Sequence, residues 1–293
     1  MTTTRIDNCP ICKGSHLIHK LSYTDSISGK TFEILQCSDC GLHITQYAPI
    51  LADMGAFYPD SDSECYKPAK SPERKWLHRL HEWWYKKQVK IIKEESQRMS
   101  GVLLEMGSEQ GHFSQAMRGN GWIAHGVEYD ATAREYGNKR FQQQVEDGSR
   151  LFDINPRSYN VVVAWDTLGK SFNINKTMEK LSQLIVSDGT LVIAFHSAVS
   201  DDAQYYGSNW SAWDAPRKRW HLTPQAFEKL IEPYNLVITN RSHSTYRSFI
   251  TNVMSELSSQ QKPNIWLSMW RALKRNSRTQ DNYTYYIYTL KRK

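Results

Sequence analysis

Hydrophobic residues in the second half of the chain recur in short blocks that alternate between the period of a strand and that of a helix. The strand-like blocks are Val102–Met106, Ile123–Val127, Val161–Trp165, Leu191–Phe195, Leu236–Thr239 and Tyr283–Leu290. The helix-like blocks are 112–119, 131–140, 174–186 and a segment that Thr223 and Pro224 open and that ends near residue 233. Strands that alternate with helices over short connections predict an α/β fold with a doubly wound, largely parallel sheet.

The region before these blocks is organised differently. Residues 74–99 place tryptophan, leucine and isoleucine at helical spacing, which predicts a long amphipathic helix that packs on the sheet. Residues 47–73 are polar and rich in proline and serine, which predicts a connector. We therefore divide the chain into an N-terminal module at 1–46, a connector and helix at 47–99, and a Rossmann-like domain at 100–293.

Four of the five cysteines form two Cys-x-x-Cys pairs near the N-terminus. Cys9 and Cys12 make the first pair, and Cys37 and Cys40 follow after 24 residues. Each turn directs two sulfurs towards one point, and two such turns complete a tetrahedron, so the spacing predicts a structural zinc in a zinc ribbon. Two disulfides are the alternative, which a reducing compartment disfavours. Cys65 stands apart, and we interpret it as an incidental thiol.

Composition and charge limit the classes of protein to which the chain can belong. An apolar fraction of 40% over 293 residues is enough for a globular core, and no apolar run approaches the roughly 20 residues of a membrane span. The N-terminus lacks the apolar region of a secretory signal, so we expect a cytoplasmic protein. Much of the net charge of +7 lies in 74–93 and 271–293. A solvated helix face is the preferred interpretation, and nucleic acid is the alternative partner.

A candidate cofactor loop follows the first strand of the Rossmann-like domain. The stretch Leu104–Gly111 reads LEMGSEQG, and Glu128 closes the next strand, 17 positions after Gly111. Glycines let the backbone turn tightly beside a ligand, and an acidic side chain after the second strand can accept both hydroxyls of a ribose. This pair predicts a nucleoside cofactor. A nicotinamide-dependent dehydrogenase shares the acidic residue, but the loop spacing and the terminal strand disfavour it.

With these motifs the chain resembles class I S-adenosylmethionine-dependent methyltransferases, and more closely the bacterial members that carry an N-terminal zinc ribbon. The matching stretches run nearly from end to end and read CPIC…CSDCGLHIT, E-x-G-x-x-x-G-x-F, GNGWIAHGVEYDATAREYG, YNVVVAWDTL, SDGTLVIAF and YYGSNWSAWDAPRKRWHLTPQAFEKLI. The resemblance implies a seven-stranded Rossmann-like sheet with an antiparallel last strand, and S-adenosylmethionine as the cofactor.

The resemblance also implies a set of cofactor-binding residues. It places Glu105, Gly107 and Gly111 at the methionine end of the cofactor. It places Glu128 at the ribose and Asp147 beside the adenine.

Three candidate catalytic residues lie on the expected substrate side. Asp166 ends the fourth strand, where the resemblance places it towards the transferred methyl group, and His196 and His221 follow later in the chain. A protein base is needed only if the acceptor is a hydroxyl or an acidic carbon. For each histidine a hydrogen-bonded wall residue is the alternative. The aromatic segment before His221 predicts a lid, in which Arg217 and Arg219 could bind an anionic acceptor.

Three positions depart from the pattern of the family. Glu109 stands where family loops place glycine or asparagine, and Gly169 and Lys170 replace a Glu-His pair. In 216–221 a basic residue stands at a position where the family has histidine. Two hypotheses follow. The first is a methyltransferase whose acceptor the sequence does not name, with a sugar, a glycan precursor or another small molecule favoured. The second is a catalytically degenerate relative that serves as a scaffold or nucleic-acid-binding module.

Overall fold

The computed structural model describes residues 1–59, 72–142, 145–258, 264–276 and 282–293. The strands in these residues are β1 Thr3–Thr4, β2 Leu17–Thr24, β3 Thr31–Cys37, β4 His43–Thr45, β5 Ala48–Pro49, β6 Val102–Met106, β7 Ile123–Glu128, β8 Val145–Asp147, β9 Tyr159–Trp165, β10 Ile185–His196, β11 Trp220–His221, β12 Leu236–His243 and β13 Tyr285–Arg292. The α-helices are α1 Pro72–Ser96, α2 His112–Arg118, α3 Ala131–Phe141, α4 Ile174–Leu184, α5 Asp201–Tyr206, α6 Pro224–Ile231, α7 Thr245–Ser258 and α8 Ile265–Asn276. Cys65 lies outside the described residues, as do residues 60–71 of the predicted connector.

Seven strands form the main sheet, in the order β12-β13-β10-β9-β6-β7-β8. The five strands from β10 to β8 are parallel to their neighbours. The last strand, β13, lies between β10 and β12 and is antiparallel to both. The prediction of an α/β, doubly wound, seven-stranded sheet with an antiparallel last strand is confirmed.

Side chains of the central strands contribute to two separate hydrophobic cores, one on each face of the sheet. Val161 and Val163 of β9 face α1 and α2, where Trp84 and Ile92 of the long helix belong to the same core. Val162 faces the opposite side, which α4, α6 and the N-terminal module cover. Because both faces of the sheet are buried, β9 consists of consecutive apolar residues rather than alternating ones. The predicted packing of the 74–99 helix is thereby confirmed for the side chains that the structure describes.

The N-terminal module is joined to the Rossmann-like domain by strand pairing. Its sheet has the order β11-β4-β3-β2, and β11 comes from the segment just before α6. Trp220 pairs with Ile44, and the Thr45 amide donates to the Arg219 carbonyl at 2.9 Å. The division of the chain at residue 46 stays a prediction, but the module and the main sheet share one core.

A helical hairpin that the sequence pattern did not indicate lies between β12 and β13. Its first helix, α7, is rich in serine, threonine and asparagine, which weakens the helical signal. Several of these polar residues are buried, among them Ser248, Asn252 and Ser255. Among the described residues, no helix is long and apolar enough to cross a membrane.

Candidate functional site

The four predicted metal ligands meet in one cluster. The ligand atoms of Cys9, Cys12, Cys37 and Cys40 lie within 4.8 Å of one another. The Sγ atoms of Cys9 and Cys40 are 3.5 Å apart, and those of Cys12 and Cys37 are 3.4 Å apart. Zinc–sulfur bonds of about 2.3 Å place tetrahedral sulfurs about 3.8 Å apart, whereas a disulfide needs about 2.05 Å. The donor set therefore fits a tetrahedral metal, and the four thiols are not in disulfides.

A cavity of about 740 Å³ opens at the carboxyl ends of β6 and β7. Gly107, Glu109 and Glu128 line one part of it. Another part of the wall comes from the segment that follows the N-terminal module and includes Met54 and Tyr58. In doubly wound sheets ligands bind beyond the carboxyl ends of the strands, near the point where the strand order reverses. The cavity occupies that position, because β6 has β7 on one side and β9 on the other.

The loop after β6 has the conformation of a tight ligand-binding bend. Gly107 and Gly111 have φ values of 72° and 74°, and Glu109 has φ of 48°. An added Cβ at Gly107 would lie 2.2 Å from the Thr167 side chain, so no larger residue fits there. The φ of Glu109 is left-handed, and glycine or asparagine adopts this conformation at a free-energy cost lower by about 1 kcal/mol. The bend that the sequence predicted thus forms with Glu109 in this position.

Glu128 closes the bend from the second strand. Its carboxylate accepts hydrogen bonds from the amides of Glu109 and Asp130, each at 2.9 Å. Burial raises the pKa of Glu128, and the two amide bonds oppose this shift. A carboxylate offers about four acceptor positions, so two remain for a ligand in the cavity. The predicted ribose-binding residue faces the cavity, as that role requires.

Glu105 lies behind the bend rather than in the large cavity. The Ser114 hydroxyl donates to its Oε2 at 2.6 Å, and the side chain lines a second cavity of about 120 Å³. Burial, with Glu109 and Glu128 nearby, raises the pKa of Glu105 to about 8. Gly111 begins α2 and does not line the large cavity.

Asp147 has protein partners of its own. It accepts hydrogen bonds from the Ser149 amide at 3.0 Å and the Ser149 hydroxyl at 2.7 Å, and it pairs with Arg134 at 2.9 Å. These contacts hold its pKa below the usual range, although burial acts in the opposite direction. Gly148 lines the large cavity, but Asp147 does not. Its predicted place beside an adenine stays a prediction.

Asp166 is held in a buried group of charges. Lys218 Nζ donates to its two carboxylate oxygens at 2.9 and 2.8 Å, and Arg247 lies 3.8 Å away. Burial alone would raise the pKa of Asp166, but His196 and Lys218 outweigh it and hold this pKa well below the usual range. Asp166 does not line the large cavity, whereas its neighbour Thr167 does.

The two predicted catalytic histidines are buried and bonded to protein groups. His196 Nδ1 lies 2.9 Å from Asp166 Oδ2, and its Nε2 lies 2.7 Å from the Thr251 hydroxyl. Burial lowers the pKa of His196 to about 4, although the nearby Asp166 carboxylate acts in the opposite direction. His221 Nε2 lies 2.8 Å from the Thr45 hydroxyl, and burial holds its pKa well below the usual range. The structure thus brings Asp166 and His196 into direct contact, and it ties His221 to the N-terminal module.

The arginines of the predicted lid are engaged by the protein. Arg217 donates to Asp25 at 2.7 Å, to Asp214 at 2.6 Å and to the Phe57 carbonyl. Arg219 donates to the Pro49 carbonyl. An anionic acceptor would compete with these contacts, and binding of such an acceptor by the two arginines stays a prediction.

Sequence reasoning missed several residues at the site. Lys170 lines the large cavity and pairs with Asp214 at 3.4 Å; the residue had been noted only as a departure from the family. Thr167 donates to the Met106 carbonyl at 2.8 Å and so ties β9 to the cofactor loop. The sequence could have indicated Thr167, because this residue lies next to Asp166 at the end of a strand. Arg247 gave no signal, because it lies on the helical hairpin that the pattern did not indicate.

The strand order, the antiparallel last strand and the cavity at the carboxyl ends define a Rossmann-like methyltransferase fold. A family profile described as "Methyltransferase domain" matches residues 74–240, more than half of the chain. The chain therefore belongs to this family of methyltransferase domains. A search of curated protein sequences found no match.

Solved structures agree with this fold. The chain is similar to geranyl diphosphate C-methyltransferase from Streptomyces coelicolor A3(2), at 13% identity and a TM-score of 0.57, with 84% of this chain and 98% of that chain covered. It is also similar to magnesium protoporphyrin IX methyltransferase from Synechocystis PCC 6803, at 10% identity and a TM-score of 0.51, with 78% and 90% covered. At these identities the likeness establishes the fold alone.

Proposed function

We propose that this protein is an S-adenosylmethionine-dependent methyltransferase. The observation that carries the proposal is a cavity of about 740 Å³ whose lining brings together the Gly107 bend and the Glu128 carboxylate. This combination fits a nucleoside cofactor, because the bend admits the ligand against the backbone and the carboxylate can accept from ribose hydroxyls. Gly148 and Leu151, at the end of β8, supply the wall for the base.

We propose a small-molecule acceptor on the side lined by the segment that follows the N-terminal module, which includes Met54 and Tyr58. The cavity volume lies within the roughly 300–1,000 Å³ usual for small-molecule sites. Lys170 and Arg217 are paired with Asp214, and Arg217 also with Asp25, so this wall offers little unpaired positive charge. A polar, uncharged group such as a sugar of a glycan precursor fits that wall better than a phosphate does.

The chain's part in the reaction would be alignment and the exclusion of water. When bound, S-adenosylmethionine supplies an electrophilic methyl group on its sulfonium. Asp166, His196 and His221 stay candidates for roles on the substrate side. Because Asp166 is ionised and held by Lys218, its contacts support a positioning role at the end of β9 rather than proton acceptance.

We further propose that the four-cysteine cluster holds a structural zinc. All four ligand positions of a tetrahedral ion would be filled by thiolates, which leaves no position for a reacting water. The ion would brace the module, whose Ile27 lines the large cavity.

Calorimetric titration with S-adenosylmethionine and S-adenosylhomocysteine tests the proposed function directly. We expect saturable binding that Glu128→Gln weakens roughly tenfold or more, because a neutral amide is a poorer acceptor for two hydroxyls than a carboxylate is. Glu146→Gln is the matched control, since Glu146 lies on β8 near the site but pairs only at the surface with Arg150.

The two outcomes separate the two functional hypotheses. Binding followed by release of S-adenosylhomocysteine with a panel of sugar and glycan-precursor acceptors would establish the activity. No detectable heat at millimolar ligand would refute it and return the degenerate scaffold to first place.

A further inference from the structure

The helical hairpin of α7 and α8 carries apolar side chains on its outside. On α8 the exposed apolar residues follow one another at helical spacing from Trp266, which is 77% exposed, and this spacing places them on one side of the helix. The last two turns of α7 add further exposed apolar residues. We call the set the outer surface of the hairpin, and it consists of Met254, Leu257, Trp266, Met269, Trp270 and Leu273.

The inward side of the same hairpin is polar. The Ser211 amide donates to the Ser255 hydroxyl at 2.9 Å, and Arg271 pairs with Asp202 at 3.4 Å. These contacts fix which side of each helix faces the protein. A helix at the surface of a globular protein usually buries its apolar side and exposes its polar side. The hairpin has the opposite arrangement, and a contiguous exposed apolar patch marks an interaction site.

The charge around α8 indicates what kind of surface the hairpin meets. Residues 257–280 contain no aspartate or glutamate, and their basic residues are Lys262, Arg271, Lys274, Arg275 and Arg278. An excess of positive charge of this kind complements an anionic surface. Tryptophan is enriched where an apolar phase meets water, because its ring is apolar while its N–H stays hydrated. Both features are typical of helices that lie in a membrane interface.

We propose that the hairpin docks this protein on an anionic lipid surface, with its outer surface inserted at the level of the headgroups. Helix α8 has 12 residues and is about 18 Å long at 1.5 Å per residue, so it would lie along the lipid surface rather than cross it. A second copy of the chain would also cover the apolar residues. It would bring two basic segments without acids together, however, and like charges across an interface repel.

The hairpin is attached at the edge of the main sheet where the large cavity opens. The Thr251 hydroxyl of α7 lies 2.7 Å from Nε2 of His196, at the carboxyl end of β10. Strand β10 is parallel to β9, and β9 is parallel to β6, so their carboxyl ends share one edge. The proposal concerns the outer surface alone and does not require the proposed function.

Co-sedimentation of the protein with lipid vesicles tests the inference. We expect binding to vesicles of phosphatidylcholine and phosphatidylglycerol in equal parts, and binding at least roughly fivefold weaker to phosphatidylcholine alone. Combining Trp266→Ser with Leu273→Ser should weaken binding to the anionic vesicles at least roughly tenfold, because two inserted apolar side chains are lost. Combining Ile123→Ser with Phe152→Ser is the matched control, since both residues are exposed and lie outside the hairpin.

The substituted residues are exposed, so we expect both double variants to fold, which their melting curves check. Failure of the unaltered protein to sediment with anionic vesicles, or equal binding by the Trp266 and Leu273 variant, would overturn the inference. A dimer in sedimentation velocity that this variant converts to a monomer, without vesicle binding, would assign the outer surface to a second copy instead. Titration with S-adenosylhomocysteine without vesicles should be the same for this variant and the unaltered protein, which keeps this test separate from that of the proposed function.

Discussion

At the scale of single residues, the cofactor bend combines a strained backbone with a buried acid. Glu109 has a φ of 48°, the conformation that the neighbouring glycines make possible, and its amide donates to Glu128. Glu105 is 4% exposed and has the Ser114 hydroxyl as its hydrogen-bond donor. The carboxyl groups of Glu105, Glu109 and Glu128 lie close together, so a charge on one raises the free-energy cost of ionising the others.

Glu105 should make stability depend on pH. Its pKa is about 8 in the folded protein and about 4.5 in an unfolded chain, because burial and the nearby Glu109 and Glu128 disfavour the carboxylate. The folded state then keeps a proton that the unfolded state loses, so this group lowers stability as pH rises from about 4.5 to 8, and the penalty is constant above that. Glu105→Gln removes the penalty and keeps an acceptor for Ser114.

We therefore expect the unfolding free energy of Glu105→Gln, relative to the unaltered protein, to rise between pH 5 and 8 by at most about 1.4 kcal/mol per pH unit. Urea unfolding at several pH values measures this difference, and the exposed Glu146→Gln provides the baseline. A difference that is the same at pH 5 and pH 8 would contradict the raised pKa.

At the scale of elements, the buried ion pair between Asp166 and Lys218 joins the end of β9 to the segment that contains β11. Lys218 is 7% exposed and Asp166 is 15% exposed, and the lysine also donates to the Ala212 carbonyl at 3.2 Å. The same segment contributes β11 to the sheet of the N-terminal module. The ion pair thus connects the main sheet to the module through one short stretch of chain.

Removing one partner of this pair should be costlier than removing both. Lys218→Met leaves the Asp166 charge buried and should destabilise the protein by about 3–5 kcal/mol. Adding Asp166→Asn should recover a large part of that loss, because asparagine tolerates the φ of 60° at this position and carries no charge. Urea unfolding of the single and double variants measures the coupling.

Lys139→Met is the control for a lysine whose partner is exposed. Its pair with Glu135 lies at the surface, where a pair contributes about 0–1 kcal/mol. Strictly additive effects of the Lys218 and Asp166 substitutions would show that the pair is not coupled.

At the scale of the whole molecule, the N-terminal module is part of the site rather than an attachment to it. Ile27 of the module and the segment directly after the module line the large cavity, and Arg217, which also lines it, donates to Asp25 of the module. Leu42 and Ile44 belong to the same hydrophobic core as Phe227 of α6. Loss of order in the module should therefore disturb the structure of the cofactor bend.

Loss of the proposed zinc should lower both thermal stability and cofactor affinity. We expect Cys40→Ser, or chelation, to release the metal, to lower the melting temperature and to weaken S-adenosylhomocysteine binding, since metal binding and folding of such modules are coupled. Metal content by mass spectrometry, the melting curve and the titration are the measurements.

Cys65→Ser is the matched cysteine control, and it should keep the metal and the affinity. A metal-free Cys40→Ser variant with unchanged affinity would show that the module acts independently of the cavity. A metal-free preparation of the unaltered protein with the same melting temperature would refute the structural role of zinc.

By itself, the sequence determined the features that depend on local pattern. The alternating apolar blocks predicted β6, β7 and β9, because a strand between two helical layers needs a continuous apolar run. The cysteine spacing predicted the cluster, because each Cys-x-x-Cys turn directs two sulfurs towards one point and two such turns complete a tetrahedron. The bend at Gly107 and the acid Glu128 were predicted for the same reason, since each follows directly from the end of a strand.

Only the tertiary structure decided which distant side chains meet. Lys218 and Asp166 are 52 positions apart, and Arg217 and Asp25 are 192 apart; neither ion pair leaves a local signal. Strand β11 consists of two residues, too few to produce a period, and it acquires its partner only when β4 lies beside it. Such long-range pairings depend on the packing of the complete core, which no window of sequence contains.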